Sequence, residues 1–307
     1  MTASEARTHS RTPIPGGTAI PGGTAQLAGR TVSRIGFGAM QLEQPAVGRD
    51  AALAILRLAI RDGINHIDTA QFYGACNALI RDALAPYPDD LVVVTKVGAE
   101  RDADGKLVPA QRPEQLRAQI EANLATLGTG QVGVVNLRRL DARPGLIAEG
   151  DQRVDLDSQL AELAALRDAG KIGAIGLSSV SARQLRQALP AGIACVQNGY
   201  NVLDRSAEPV LELCREHGIA WVPFFPLGSA FPGYPKVTDN PIVAAVAAEL
   251  GATPAQVALA WLLGHYDNTL LIPGTSDPAH LAENIAAGDL RLPSASVAAL
   301  NQLAPPD

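Results

Sequence analysis

The sequence predicts an α/β chain folded as a single (β/α)8 TIM barrel with an N-terminal β-hairpin and a C-terminal helix. Three observations predict it. Strand-like and helix-like stretches alternate until eight β units are counted over about 250 residues, the repeat and size of a closed barrel. No GxGxxG follows any strand, so an open dinucleotide-binding sheet lacks its fingerprint. The chemically distinctive residues Met40, Asp68, Lys96, Arg138, Ser178, Gln197, Phe224 and Gly274 all fall at strand ends, where a barrel carries its site.

The elements follow in order. Residues 1–24 are polar and glycine/proline-rich, with a near-repeat PIPGGTA, IPGGTA; such a segment buries little and reads as a flexible extension, leaving 25–307 as the barrel. Residues 26–35 alternate around a turn at 28–30, a hairpin leading into the first core strand. Small residues in Gly36-Phe37-Gly38-Ala39-Met40-Gln41 then let a ligand approach the backbone. Helical periodicity over 50–62 precedes an apolar strand, 64–67, and a helix over 77–84 precedes the strand 91–96. Residues 113–127 read as a helix with proline near its start, and 131–138 as a strand. The alternation continues with a helix at 156–169, a strand at 172–177, a helix at 181–189 and a strand at 193–197. A helix at 207–217 is closed by Gly218 and followed by a strand at 220–225. Helices at 241–250 and 254–264 and a last strand at 270–272 complete the pattern.

Composition narrows the function class. In 307 residues, 47% apolar, a formal charge of −6 gives no reason to expect nucleic-acid or anionic-membrane binding. Three widely spaced cysteines, Cys76, Cys195 and Cys214, fit reduced thiols in a cytoplasm better than a disulfide framework. No apolar run reaches the length of a membrane span. No metal is expected, and no long exposed apolar stripe marks an oligomer interface.

The stretch GINHIDTAQFYG, residues 63–74, carries the chemistry. A carboxylate, Asp68, ends one apolar strand, and a carboxylate there is costly unless paired. Lys96 ends the next strand, LVVVTK, and the chain has only four lysines. With Tyr73 just past the first strand, the pattern suggests an ion pair beside a phenol, a constellation that can tune a proton donor. The plain alternative is a structural ion pair beside a packed tyrosine.

Seven strings, GFGAM (36–40), HIDTAQFYG (66–74), VVTKVG (93–98), IGLSSV (175–180), VQNGYN (196–201), FFPLG (224–228) and IPGTSDPAHLAENIAA (272–287), together resemble the aldo-keto reductases, in order from residue 27 to 303. Within that family the combination GAMQL, VVNLR, PFFPLG and PGTS…HL.EN most resembles the bacterial pyridoxal reductases.

The resemblance implies roles. Tyr73 is the general acid that protonates the carbonyl oxygen as hydride arrives, Lys96 lowers its pKa, and Asp68 holds Lys96. The family usually has a histidine where Arg138 stands. Arg138 is permanently charged and rich in donors, so it orients the carbonyl, depresses the Tyr73 pKa, or binds a substrate oxygen or anion; a rim salt bridge is the plain alternative. His66 points deeper and reads as a packed, hydrogen-bonded core histidine. For the cofactor, NADPH with NADH as the alternative, Gly38 and Met40 lie at the mouth. Ser178, Ser179 and Gln197 match the positions that bond the nicotinamide carboxamide, and Phe224 the ring it stacks on. Pro226, Leu227 and Gly228 form the pyrophosphate loop. Gly274, Thr275, Ser276, His280, Glu283 and Asn284 grip the adenosine end, where Gly274 and His280 replace the family's basic residues and a helix start near Asp277 can still bind phosphate. Ordinary turn and cap residues at a rim are the plain alternative for this set.

Three functional readings follow: an NADPH-dependent reductase of pyridoxal, a reductase of another aldehyde or ketone, and a slow cofactor-binding protein that senses redox state for a partner. A small-molecule carbonyl substrate is the expected ligand of the first two. Its pocket is walled by loops 41–47, 97–109, 141–155 and 230–236, with Phe231, Tyr234 and Pro235 as an apolar wall.

Overall fold

The computed structural model describes residues 20–44, 46–141, 145–228 and 235–304. Of the expected extension, residues 1–19 lie outside these. The rest of it joins the barrel, for Pro21 and Gly23 accept backbone hydrogen bonds from Ile35 and Arg34 at 3.2 and 2.9 Å.

Strands β1 (Thr24–Leu27) and β2 (Arg30–Ser33) pair antiparallel. Their inward residues Ala25, Leu27 and Val32 cluster with Val92, Val94, Val134, Cys195, Ala220, Val222 and Leu270. Those seven line the interior of the main sheet, so the expected hairpin plugs the end of the barrel away from the strand C-termini.

The barrel strands are β3 (Phe37–Gly38), β4 (His66–Asp68) and β5 (Val92–Val97). A small antiparallel hairpin, β6 (Ala99–Arg101) with β7 (Leu107–Pro109), rises from the end of β5. Then come β8 (Val132–Arg138), β9 (Ile172–Ser178), β10 (Ile193–Gln197) and β11 (Ala220–Trp221). The seven barrel strands are parallel, in the order β11-β10-β9-β8-β5-β4-β3. The eighth position belongs to residues 269–272, where Thr269 bridges Trp221 on one side and Leu271 bridges Ile35 on the other. That segment closes the circle.

Two expected strands are shorter than the sequence pattern. The last consists of these single-residue bridges. Residues 220–225 shrink to β11, with Phe224 rejoining through one bridge to Gly199, because Phe225 turns the backbone to a φ of 57°.

The outer layer comprises α1 (Arg49–Arg61), α2 (Cys76–Leu84), α3 (Pro113–Leu127), α4 (Leu156–Asp168), α5 (Ala182–Ala188), α6 (Glu208–His217), α7 (Pro241–Leu250), α8 (Pro254–His265), α9 (Pro278–Ala286) and α10 (Ser294–Asn301). Helix α1 shows why they sit where they do. Ala52, Leu53, Ile55, Leu56 and Ala59 recur at helical spacing and are buried, each large side chain contributing roughly 1.5–3 kcal/mol. Local signals fix the ends. Proline opens α3, and Gly128 ends it in the left-handed conformation. Ser181 with Gln184 and Thr253 with Gln256 form capping boxes on α5 and α8. All three cysteines are free and buried. Among the described residues no single helix is long and apolar enough to cross a membrane.

Candidate active site

Side chains alternate along a strand, so every second residue of each barrel strand faces the interior. On β4 these are His66 and Asp68; on β5, Val92, Val94 and Lys96; on β8, Val134, Asn136 and Arg138; on β10, Cys195 and Gln197. The lower members fill the barrel, and Asp68, Lys96, Arg138 and Gln197 emerge at its C-terminal mouth. There Asp68, Lys96 and Arg138 border a cleft of about 600 Å³.

Asp68 and Lys96 are both buried and form an ion pair, Lys96 Nζ donating to Asp68 Oδ1 and also to the Thr69 carbonyl at 3.1 Å. Gln197 Nε2 donates to the other carboxylate oxygen, Oδ2, at 2.6 Å. The carboxylate is thus held from two strands. Tyr73 follows in the loop after β4, its ring edge-on to Phe72 with centroids 5.2 Å apart. The Lys96 ammonium lies 5.1 Å from the Tyr73 ring centroid. The structure therefore assembles Asp68, Tyr73 and Lys96 as the spacing suggested.

The electrostatics correct one expectation. Burial raises the Tyr73 pKa above its ordinary value; Lys96 and Arg138 pull it down and Asp68 pushes it up, and burial wins. Lys96 acts in the expected direction without lowering the phenol below its usual range. Burial pulls the Lys96 pKa down, but the charges and hydrogen bonds of Asp68 and Tyr73 outweigh it and hold the ammonium above its ordinary value. Lys96 is therefore a permanent cation at neutral pH.

The adjacent arginines at the end of β8 part company. Arg139 faces outward, buried, and spends its guanidinium on Asp141, the Val154 carbonyl and Gln159 of α4. Arg138 faces the cleft. No carboxylate among the described residues lies within 4 Å of its guanidinium, which sits 5.7 Å from the Phe72 ring centroid. The rim salt bridge offered as its alternative is not made by any described residue. Burial lowers the Arg138 pKa, and Tyr73 opposes that shift.

His66 is buried as expected, but it is not hydrogen-bonded, since neither ring nitrogen has a partner. Its ring lies against Gly36, where a Cβ would stand 2.1 Å from Nε2. Burial depresses its pKa to about 4, so it is neutral.

The remaining expected residues lie along the same cleft. Gly38, Met40, Ser178, Ser179, Phe224, Pro226, Leu227, Gly228, Gly274, Thr275, His280, Glu283 and Asn284 all line it. Ser276 does not; it is exposed on the turn before α9. Gln197 reaches the site through Asp68, and its Oε1 is buried without a partner. Ser179 and Phe225 adopt left-handed φ values of 59° and 57° at the ends of their strands, the backbone strain that clusters at binding sites. Gly228, at φ 81°, packs so closely that a Cβ would meet the Pro235 carbonyl at 2.2 Å. The start of α9 is already capped, Asp277 accepting from the Ala279 amide at 2.7 Å. That cap places a carboxylate at the helix end expected to meet the phosphate.

Loops 41–47 and 97–109 line the cleft as expected, through Gln41, Leu107 and Arg101 paired with Glu43, while Phe72, Phe225 and Ala255 line it without having been expected. Arg101 and Leu107 come from the β6–β7 hairpin, whose Asp-Gly turn was the available sequence signal. Arg101 also donates to the Phe72 carbonyl at 3.0 Å, tying the hairpin to the loop that carries Tyr73. Phe231 and Tyr234 lie outside the described residues, and Pro235 is exposed.

Comparison with known proteins gives a consistent result. A model of the aldo/keto reductase family matches residues 34–305. Pyridoxine 4-dehydrogenase of Escherichia coli (strain K12) is 44% identical over 274 residues, covering 87% of this chain and 93% of that protein. An oxidoreductase of Schizosaccharomyces pombe is 34% identical over 281 residues, covering 88% of this chain and 86% of that protein. Among solved structures, the chain is similar to a thermostable aldo-keto reductase in complex with the inhibitor epalrestat, with a TM-score of 0.76 and 28% identity over 91% of this chain and 99% of the other. It is also similar to an aldo/keto reductase from Klebsiella pneumoniae in complex with NADP and acetate, with a TM-score of 0.77 and 25% identity over 92% of this chain and 96% of the other.

Proposed function

The chain belongs to the aldo/keto reductase family and is an NAD(P)H-dependent oxidoreductase, and from that premise we propose that it reduces the carbonyl of a small molecule with Tyr73 as general acid, pyridoxal to pyridoxine being the favoured reaction. The observation that carries this reading is the buried Asp68–Lys96 ion pair lying against the Tyr73 ring at the cleft mouth. The relative named for pyridoxine chemistry supports the choice of substrate.

The residues present fit a nicotinamide cofactor. Gln197 Oε1 is a buried acceptor without a partner, suited to the carboxamide N–H beside Ser178 and Ser179. The Phe224 ring offers a π face for the nicotinamide, and the close-packed backbone at Gly228 a cradle for the pyrophosphate. NADPH, when bound, supplies the hydride. Tyr73 then gives its phenolic proton to the carbonyl oxygen, Lys96 stabilises the phenolate left behind, and Asp68 fixes Lys96. Arg138 presents N–H donors to the same oxygen's surroundings. Among the described residues that line the adenosine end there is His280 but neither Lys nor Arg, and Asp277 caps α9, so we place the margin of NADPH over NADH low. We assign the reaction to the cytoplasm on the three free thiols.

The reading is tested by following NADPH oxidation with pyridoxal and with a panel of other aldehydes and ketones. Preferential turnover of pyridoxal is expected. Turnover of other carbonyls alone would keep the reductase and remove pyridoxal. Cofactor binding without any turnover would favour the redox-sensing partner, a reading that the assembly of Asp68, Tyr73 and Lys96 opposes.

A further inference from the structure

Among the described residues, one cation at the substrate end of the cleft has no counter-charge. Two carboxylates line this end, and each is engaged: Asp68 by Lys96, and Glu43 by Arg101. The other lining carboxylate, Glu283, stands on α9, which follows the segment opposite β8 in the barrel circle. Arg138 is left over. Its neighbour Arg139 shows what a structural arginine looks like here, with four hydrogen bonds to protein groups, whereas the Arg138 guanidinium has only the face of Phe72. A half-buried cation without an anion is costly, and the cost is recovered when a ligand supplies the anion.

The geometry restricts where that anion sits on the ligand. Arg138 lies 5.7 Å from the Phe72 ring centroid, and Phe72 is edge-on to the Tyr73 ring with centroids 5.2 Å apart, so the guanidinium stands on the side of the cleft that carries the Tyr73 phenol, the group that must touch the reacting carbonyl oxygen. A guanidinium is a planar fork of fixed span that favours two neighbouring oxygens over one. Its second oxygen must therefore be close to the carbonyl, not at a remote end of the molecule. Phe72 lies against the guanidinium and Leu107 packs with Phe72 on the cleft wall, flat or apolar surfaces that suit an aromatic ring.

We propose, resting on the reductase reading above, that Arg138 determines specificity by holding an oxyanion adjacent to the reacting carbonyl, and that the preferred substrates are aromatic aldehydes with an ionised hydroxyl ortho to the formyl group. Pyridoxal carries such an oxygen beside its aldehyde. The fork spans both oxygens and fixes the ring so that the formyl oxygen meets Tyr73.

The experiment compares 2-hydroxybenzaldehyde, 2-methoxybenzaldehyde, 4-hydroxybenzaldehyde and phenylglyoxylate as substrates of the NADPH-loaded protein, across the pH range in which the 2-hydroxyl ionises. The wild type is expected to prefer the 2-hydroxy over the 2-methoxy aldehyde by about 10- to 100-fold in kcat/KM. The preference should grow with pH and appear mainly in KM. In Arg138→Met the ratio should fall close to one, and Arg138→Lys, which keeps the charge without the fork, should lie between. Fluorescence titration with NADPH verifies that each variant is folded. Equal kcat/KM for the 2-hydroxy and 2-methoxy aldehydes in the wild type, survival of the preference in Arg138→Met, or a preference for the 4-hydroxy isomer would each overturn the assignment while leaving the reductase intact, and a preference for the 2-oxo acid would overturn the ortho-hydroxy aldehyde as the substrate class. Failure of the wild type to turn over any of these or pyridoxal would overturn the reductase reading and the assignment with it.

Discussion

Gln197 donates its side-chain amide to Asp68 Oδ2 at 2.6 Å, from a strand on the other side of the barrel mouth. The same side chain holds the carboxylate with its Nε2 and leaves its buried Oε1 without a hydrogen-bond partner, the atom proposed above to meet the cofactor. Gln197→Met removes both contacts. It is expected to destabilise the fold by about 1–3 kcal/mol, because Asp68 loses a donor, and also to weaken NADPH binding. Urea unfolding and a fluorescence titration measure the two effects separately; a loss of stability with unchanged cofactor affinity would mean that Oε1 faces no ligand.

The Asp68–Lys96 pair is buried, so removing one partner strands the other. Lys96→Met is expected to cost about 3–5 kcal/mol and to abolish reduction. The double variant Lys96→Met/Asp68→Asn should recover most of the stability and none of the activity. Recovery of both would reduce the pair to a structural ion pair.

Tyr73 sets the alkaline limit. A general acid must carry its proton, and burial holds the Tyr73 pKa above its ordinary value. Reductive kcat/KM in the free enzyme should therefore stay level through neutral pH and fall only above pH ~10. A fall centred near neutrality would show a depressed phenol, the outcome that the sequence alone suggested.

His66 sets an acid limit on stability. Its folded pKa is about 4 against an ordinary 6.5, so the unfolded chain binds the proton first as pH falls. The stability that neutral His66 contributes is intact above 6.5 and is lost progressively down to about 4. The loss amounts to roughly 3 kcal/mol over that window. Denaturant midpoints at pH 7 and 4.5 should fall further in the wild type than in His66→Leu; parallel slopes would contradict it.

Arg138 and Arg139 should respond oppositely to the same change. Arg139→Met strips partners from Gln159 and Asp141 and is expected to cost about 2–4 kcal/mol. Arg138→Met removes an unpaired cation, so stability should hold or rise while catalytic efficiency falls. Thermal unfolding of the two variants side by side measures this.

The sequence carried the barrel because its signals are local. Residues 113–127 and 193–197 match α3 and β10 to the residue, since proline, glycine and apolar runs state their own ends. Residues 220–225 and 270–272 misled, because strand length there is set by where neighbours bridge and where Phe225 turns, which no window of sequence contains. The same division holds at the site. Asp68, Tyr73 and Lys96 announce themselves by residue type at strand ends. The pairing of Gln197 with Asp68, the bare nitrogens of His66 and the lack of an anion for Arg138 among the described residues depend on how strands far apart in the chain meet. The rise in the Tyr73 pKa likewise depends on burial, which a list of charged neighbours does not contain.

The most direct test of the account is the rate of NADPH-dependent pyridoxal reduction by Tyr73→Phe at saturating cofactor, beside the wild type. Loss of the Tyr73 phenol should lower the rate by about 10²–10⁴-fold, the usual worth of general-acid catalysis, with NADPH affinity nearly unchanged. Retention of most of the rate would show that Tyr73 is not the proton donor.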